Sequence, residues 1–201
     1  GVIGMQIPID RIKAGISKLA EAKSDTIEAG TDAAKAIMTT DTCKKEIAVE
    51  VEIGGTTITI GGMAKGSGMI HPNMCTMLGF VTTDAAITKT ALQKALSGDV
   101  QDTYNMVSVD GDTSTNDTVL LLANGMAGNP EIVEGTTEYE VFKQALHEVN
   151  VYLAKAIAGD GEGATALFEV KVIGADTKEN AITLSKSIVT SSLVKCAICG
   201  H

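Results

Sequence analysis

The stretch Ile47-Ala-Val-Glu-Val-Glu-Ile53-Gly54-Gly55-Thr56-Thr-Ile-Thr-Ile60 decides the fold. Ile47, Val49, Val51 and Ile53 alternate with other residues, and Thr57-Ile-Thr-Ile60 alternates again after two glycines. Successive strand side chains point to opposite faces, so each run presents one apolar face. Two such runs, joined by two residues that tolerate left-handed backbone angles, form a β-hairpin. Helical patterns flank this hairpin, which argues for layered α/β or α+β packing and against an all-parallel doubly wound sheet.

On the N-terminal side, Pro8 and Asp10 precede Ile12, Ile16, Leu19 and Ala20 at helical spacing, predicting a helix from Asp10 to about Ser24. A short helix over 31–38 follows. On the other side, glycines at 61, 62, 66 and 68 predict a loop over 61–72 that needs unusual backbone angles. A strand over 77–82 leaves that loop, and Asp84 is expected to cap a helix carrying Ala91, Leu92, Ala95 and Leu96. Strands near 104–109 and 118–123 are expected to flank an Asp/Thr/Asn-rich loop. Val141, Phe142, Ala145, Leu146, Val149, Leu153 and Ile157 share one side of a long helix over 137–158. A strand over 166–173, a helix over 178–190 and a last strand bearing Leu193, Ala197 and Ile198 complete the reading. No fixed-period repeat or low-complexity linker appears.

A chain of 201 residues buries a sizeable core as one domain or a tight pair. Its net charge of -9 lacks the basic footprint that nucleic acid or an anionic membrane requires, which leaves small polar metabolites as partners. No apolar run reaches the ~18 residues of a membrane span. Cys43, Cys75, Cys196 and Cys199 are too few for a disulfide scaffold and fit a reducing cytoplasm. Cys196-Ala-Ile-Cys199 lacks the second ligand pair of a structural zinc site, so no metal is expected. The Asp110-x-Asp112-x-Ser114-x-Asn116 run has Thr115 and Leu121 where a calcium loop has Gly and Glu. The chain opens at Gly1 with neither Met nor a leader, and is expected to be an internal segment of a longer protein.

Chemistry concentrates in Lys65-Gly-Ser-Gly-Met-Ile-His-Pro-Asn-Met-Cys75-Thr76, where a hydroxyl residue opens an apolar strand behind a turn-rich loop. A threonine hydroxyl is weak and needs a base; the nearest is its own amine, freed when the preceding bond is cut. The bland reading is a threonine on a strand face. A glycine-rich approach and Pro72 suit a peptide held in a sparsely populated conformation. Glu162, between Gly161 and Gly163, stands where backbone approaches a ligand closely and a carboxylate can pair with an ammonium. His71 and His147 show no partner at a recognisable spacing. The Gly61-to-Lys65 stretch does not meet the phosphate-loop pattern, so ATP is not expected.

The segment Gly61 to Leu78, with Thr82-Thr-Asp-Ala-Ala86, resembles the autoprocessing region of the ornithine acetyltransferase family, the bifunctional glutamate N-acetyltransferases of arginine biosynthesis. Gly1-Val-Ile-Gly4, Ala36-Ile-Met-Thr-Thr-Asp41, Asp110-Gly-Asp-Thr-Ser-Thr-Asn-Asp-Thr-Val119 and Asp160-Gly-Glu-Gly-Ala-Thr165 resemble further family motifs across nearly the whole chain. The resemblance implies an αββα sandwich, self-cleavage between Cys75 and Thr76, and a division into the end of an α chain (1–75) and the start of a β chain (76–201). It implies Thr76 as nucleophile, Gly1 as an oxyanion donor, and Thr39, Lys65, Thr76 and Glu162 as substrate contacts. The family usually has Ala where Cys75 stands.

The implied reaction moves an acetyl group from N-acetylornithine to glutamate through an acetyl-threonine, a double displacement. No cofactor is implied, with acetyl-CoA left open as an alternative donor. The partners implied are these small molecules and the two processed halves paired as a heterotetramer; this segment alone is expected to be inactive. Two other readings stay open: an N-terminal-nucleophile aminopeptidase or amidase, and a non-catalytic module in which Thr76 is only a strand residue.

Overall fold

The computed structural model describes residues 4–71 and 77–200. They form two compact units, 1–33 and 34–201. The first carries helix α1 (Ile9–Ala22), which buries none of its residues. Its stripe of Ile9, Ile12, Ile16 and Leu19 is exposed. Helix α2 (Ile27–Ala36) begins in this unit, earlier than the sequence predicts, and buries only Ala34.

The second unit is mixed α/β, the class read from the hairpin. Strands β1 (Lys45–Ile53), β2 (Thr56–Lys65), β3 (Leu78–Thr83) and β4 (Thr118–Ala123) lie in that order in one sheet. Of the two sheets implied by the family resemblance, the described residues form this one. The β1–β2 and β2–β3 pairs are antiparallel, and β3–β4 is parallel. Gly54 and Gly55 join β1 to β2 with φ of 60° and 77°, the left-handed pair that a two-residue hairpin turn demands.

Strand β2 does not end at Gly61. It continues to Lys65, paired on both sides from Ile60 to Ala64, so the glycines at 61 and 62 belong to a central strand instead of a loop. The reason is steric: a Cβ at Gly62 would come within 2.9 Å of Leu153 Cδ1 and Val149 Cγ1. Glycine here lets helix α4 (Thr137–Gly159) lie close against the sheet. That helix starts where the Thr136 hydroxyl accepts the Tyr139 N–H, with Glu138 and Glu140 suiting the positive end of its dipole. It buries Phe142, Leu146, Val149, Leu153 and Ile157 over Ile58, Ile60, Ala64 and Val81 of the sheet.

Helix α3 (Lys89–Asp102) is capped by Thr88, whose hydroxyl accepts the Ala91 N–H, and not by Asp84. The Asp84 carboxylate instead accepts the Thr59 N–H at 2.8 Å. Residues 104–106 form a single 3-10 turn, not a strand, with buried Tyr104 donating from its hydroxyl to Asn150 at 3.0 Å. The stretch 166–173 keeps its alternating exposure but has no ladder neighbour among the described residues, and alternation without a partner makes no strand. Helix α5 (Lys178–Val189) matches expectation. The last segment is helix α6 (Ser192–Cys199), not a strand: Ser191 accepts the Val194 N–H, and the 193/197 and 194/198 pairs suit helical spacing as well as any strand. Among the described residues, no single helix is long and apolar enough to cross a membrane.

Candidate functional site

Three loops of the second unit converge on one buried ionic cluster. Lys45, at the start of β1 and 1% exposed, donates to Asp41 Oδ1 at 2.7 Å and to Asp160 Oδ2 at 2.6 Å. Asp41 ends the motif that contains Thr39, and Asp160 is the C-cap of α4, two residues before Glu162. The Asp41 carboxylate also accepts the N–H of Gly66 at 2.7 Å and that of Thr39 at 3.1 Å. Asp160 accepts the Thr42 N–H and hydroxyl.

Burial opposes every charge in this cluster, and pairing wins. Burial pushes the Asp160 carboxyl up, but hydrogen bonds from Lys45 and Thr42 outweigh it and hold the group at about 2. Asp41 is likewise raised by burial and lowered on balance by Lys45 and by the Gly66 and Thr39 amides. Burial favours neutral Lys45, but Asp160 and Asp41 raise it above the ordinary lysine value. A buried cation with two carboxylates carries little net stability, and losing any one member leaves an uncompensated charge.

The cluster places three of the expected substrate contacts. Thr39 hangs on Asp41 by its amide. Lys65, 8% exposed at the end of β2, immediately precedes the Gly66 amide held by the same carboxylate. Glu162 donates its N–H to the Ser67 carbonyl at 2.9 Å, and the Ser67 hydroxyl donates to the Asp160 carbonyl at 2.8 Å. The Glu162 carboxylate lies over Gly68, where a Cβ would stand 2.3 Å from its Oε2. Thus Thr39, Lys65 and Glu162, far apart in sequence, come from segments pinned to one another. Gly1, Cys75 and Thr76, the expected oxyanion donor, cleavage position and nucleophile, lie outside the described residues.

The loop between α3 and β4 holds both shoulders of residues 72–76. Asp110 accepts the N–H groups of Met69 at 2.5 Å and Ile70 at 2.9 Å. Met69 is a non-glycine residue at φ 59°, a left-handed backbone that costs energy unless its surroundings impose it. Asp117 accepts the Met77 N–H at 2.9 Å. Burial raises Asp117 to about 6, against the lowering effects of that N–H and of the Lys65 charge. These carboxylates hold main-chain amides. Among the described residues, no group of three or more His, Cys, Asp or Glu is gathered to hold a metal ion.

A cavity of about 610 Å³ opens beside the site, lined in part by Val107, Val109, Ala158, Glu162, Leu167 and Lys195. Lys195 at its wall donates to the carbonyls of Ser108 and Val109. His71 lies 3.3 Å from the Ser108 hydroxyl, and His147 pairs with Asp99 at 2.6 Å. Sequence reasoning missed the cluster and Asp117. Asp41, Asp117 and Asp160 do sit inside motifs that the resemblance marked, but Lys45 lies outside all of them and before the alternating run that begins at Ile47.

The sequence profile of the ArgJ family matches residues 1–201. The chain is 58% identical over its full length to the "Arginine biosynthesis bifunctional protein ArgJ" of Symbiobacterium thermophilum, covering 50% of that protein. It is 56% identical to the protein of the same name from Lactococcus lactis, again covering 50% of it. The chain therefore spans about half the length of the curated relatives it matches. A crystal structure of the arginine biosynthesis bifunctional protein ArgJ from Bacillus halodurans aligns with a TM-score of 0.58 at 49% identity, over 59% of this chain and 56% of that one.

Proposed function

The chain belongs to the ArgJ family, and from that premise we propose that it carries the catalytic core of a glutamate N-acetyltransferase of arginine biosynthesis, matured by cleavage between Cys75 and Thr76. The observation that carries the reading is that the segments bearing Thr39, Lys65 and Glu162 are pinned together by the Asp41–Lys45–Asp160 cluster and Ser67, beside the loop that leads toward residue 76. Thr39, Lys65 and Glu162 contact an amino-acid substrate: the lysine attracts a carboxylate and the glutamate an ammonium. Gly1 contributes to the oxyanion site.

In maturation, Thr76 Oγ bonds to the Cys75 carbonyl carbon, the bond from that carbon to the Thr76 nitrogen breaks, and the hydroxyl proton passes to the nitrogen. Water then cleaves the ester, leaving a Cys75 carboxylate and a free Thr76 amine. In turnover, that amine takes the hydroxyl proton while Oγ attacks the acetyl carbon of N-acetylornithine. The proton leaves on the ornithine amine, and the acetyl group stays on Oγ. The glutamate amine next attacks the acetyl ester, yielding N-acetylglutamate and restoring the hydroxyl. No cofactor takes part; acetyl-CoA is an alternative donor. The halves remain paired in a cytoplasmic heterotetramer.

The complete protein, analysed by intact mass, is expected to show two chains split before Thr76, and an acetyl adduct on the second after mixing with N-acetylornithine alone. Initial rates against both substrates should give parallel double-reciprocal plots. A single uncut species that transfers acetyl groups with intersecting plots refutes the mechanism. Release of amine from simple peptide amides without transfer to glutamate refutes the substrate class.

A further inference from the structure

Resting on that functional reading, we propose that Asp117 is a positioning residue for the chemistry at residue 76: one of its oxygens fixes the peptide that follows residue 76, and the other is kept as a buried acceptor without a partner among the described residues. Asp117 immediately precedes β4, and the parallel register that sets Leu78 opposite Thr118 brings it to Met77. Its Oδ1 accepts the Met77 N–H at 2.9 Å, and the Met77 carbonyl accepts the Thr118 N–H at 3.3 Å. Met77 is therefore held at both its N–H and its carbonyl. Its nitrogen is covalently bonded to the carbonyl carbon of residue 76, so any shift of this amide moves residue 76 with it.

The second oxygen is what a merely structural role leaves unexplained. Asp117 Oδ2 is buried and has no hydrogen-bond partner among the described residues. Such an atom costs free energy; a carboxylate holds the Met77 N–H more firmly than a neutral amide would, at the expense of burying this second oxygen. Lys65, from the end of β2, is the charged group that acts on Asp117; Met77, just before β3, and Thr118, at the start of β4, add no titratable side chain. Burial has moved the Asp117 ionisation to about 6, into the range where a carboxyl both holds and releases a proton near neutrality. Residues kept at a cost to stability mark functional positions more often than packing ones.

The test uses the complete protein with Asp117→Asn and Asp117→Glu, following the fraction split before residue 76, and kcat and KM on either side of pH 6. Asp117→Asn should fold with a thermal midpoint no lower than wild type and leave KM nearly unchanged. It should lower kcat about 10- to 100-fold, as a small misplacement does, and abolish the fall of kcat below pH 6. Asp117→Glu should retain that acid limb at a reduced kcat. Wild-type splitting, kcat and pH profile in Asp117→Asn overturn the proposal. Should Asp117→Asn fail to fold, a wild-type kcat in Asp117→Glu overturns it as well. A wild-type protein with no acetyl group on Thr76 refutes the functional reading itself; an active wild type with an indifferent Asp117→Asn refutes only the role of Asp117.

Discussion

Gly68 and Glu162 show how one missing Cβ shapes a site. The backbone at Gly68 is open to any residue, but a methyl group there would occupy the place of the Glu162 carboxylate. The displaced atom is the end of a flexible side chain, so Gly68→Ala should leave the thermal midpoint within about 2 °C. It should raise KM for the amino-acid substrate by about tenfold, the worth of one displaced charged contact. An unchanged KM would remove Glu162 from substrate binding. Asp117 makes the opposite kind of prediction, in stability. Its folded ionisation is raised above the ordinary 3.8, so the neutral form is favoured; the cost of ionisation is absent below 3.8 and complete above about 6. Discounted for partial exposure, this is on the order of 1 kcal/mol. Asp117→Asn should therefore melt a few degrees higher than wild type at alkaline pH, with the gain fading toward pH 4, as followed by thermal unfolding across that range.

At the scale of elements, the same three loops depend on Lys45. Lys45→Met leaves Asp41 and Asp160 buried without their cation, and should destabilise the fold by about 3–5 kcal/mol in denaturant titration. Asp41 and Asp160 have lowered ionisations, so their contribution is complete above 3.8 and is lost as pH falls through the lowered values, about 2 for Asp160. Acid unfolding of the wild type should fall in that window, and Lys45→Met should show a weaker pH dependence there. This cluster was not legible in the sequence, because Lys45 and Asp160 are 115 positions apart and no local pattern joins them. The hairpin and α4 were legible: each is long, periodic and bounded by a turn or cap that suits it. Residues 104–106 and the α6 segment were not, since a few apolar residues fit either period and neighbours decide between them. The end of β2 was misread for a different reason. Glycine signals a loop in isolation, but Gly61 and Gly62 serve the close approach of α4. Motifs singled out Thr39, Lys65 and Glu162 as candidates, while the carboxylate of Asp117 lay unnoticed inside one.

Across the whole molecule, α4 carries more buried residues than any other described helix, and Gly62 sets its spacing on the sheet. Gly62→Ala forces Leu153 and Val149 outward and should cost about 1–3 kcal/mol, whereas Leu153→Ala at the same contact should cost about 2–5. The strands on either side of residues 72–76 are β2 and β3, neighbours in the interior of the sheet and joined through six register pairs from Ile60↔Thr83 to Lys65↔Leu78. Severing the connection between them leaves that ladder untouched, so the nicked protein should migrate as one particle in its native state and as two under denaturant. The break nevertheless turns a local strand pairing into an encounter between separate molecules. Melting of the nicked form then acquires a dependence on protein concentration that the uncut form lacks, and dilution alone becomes a destabilising agent.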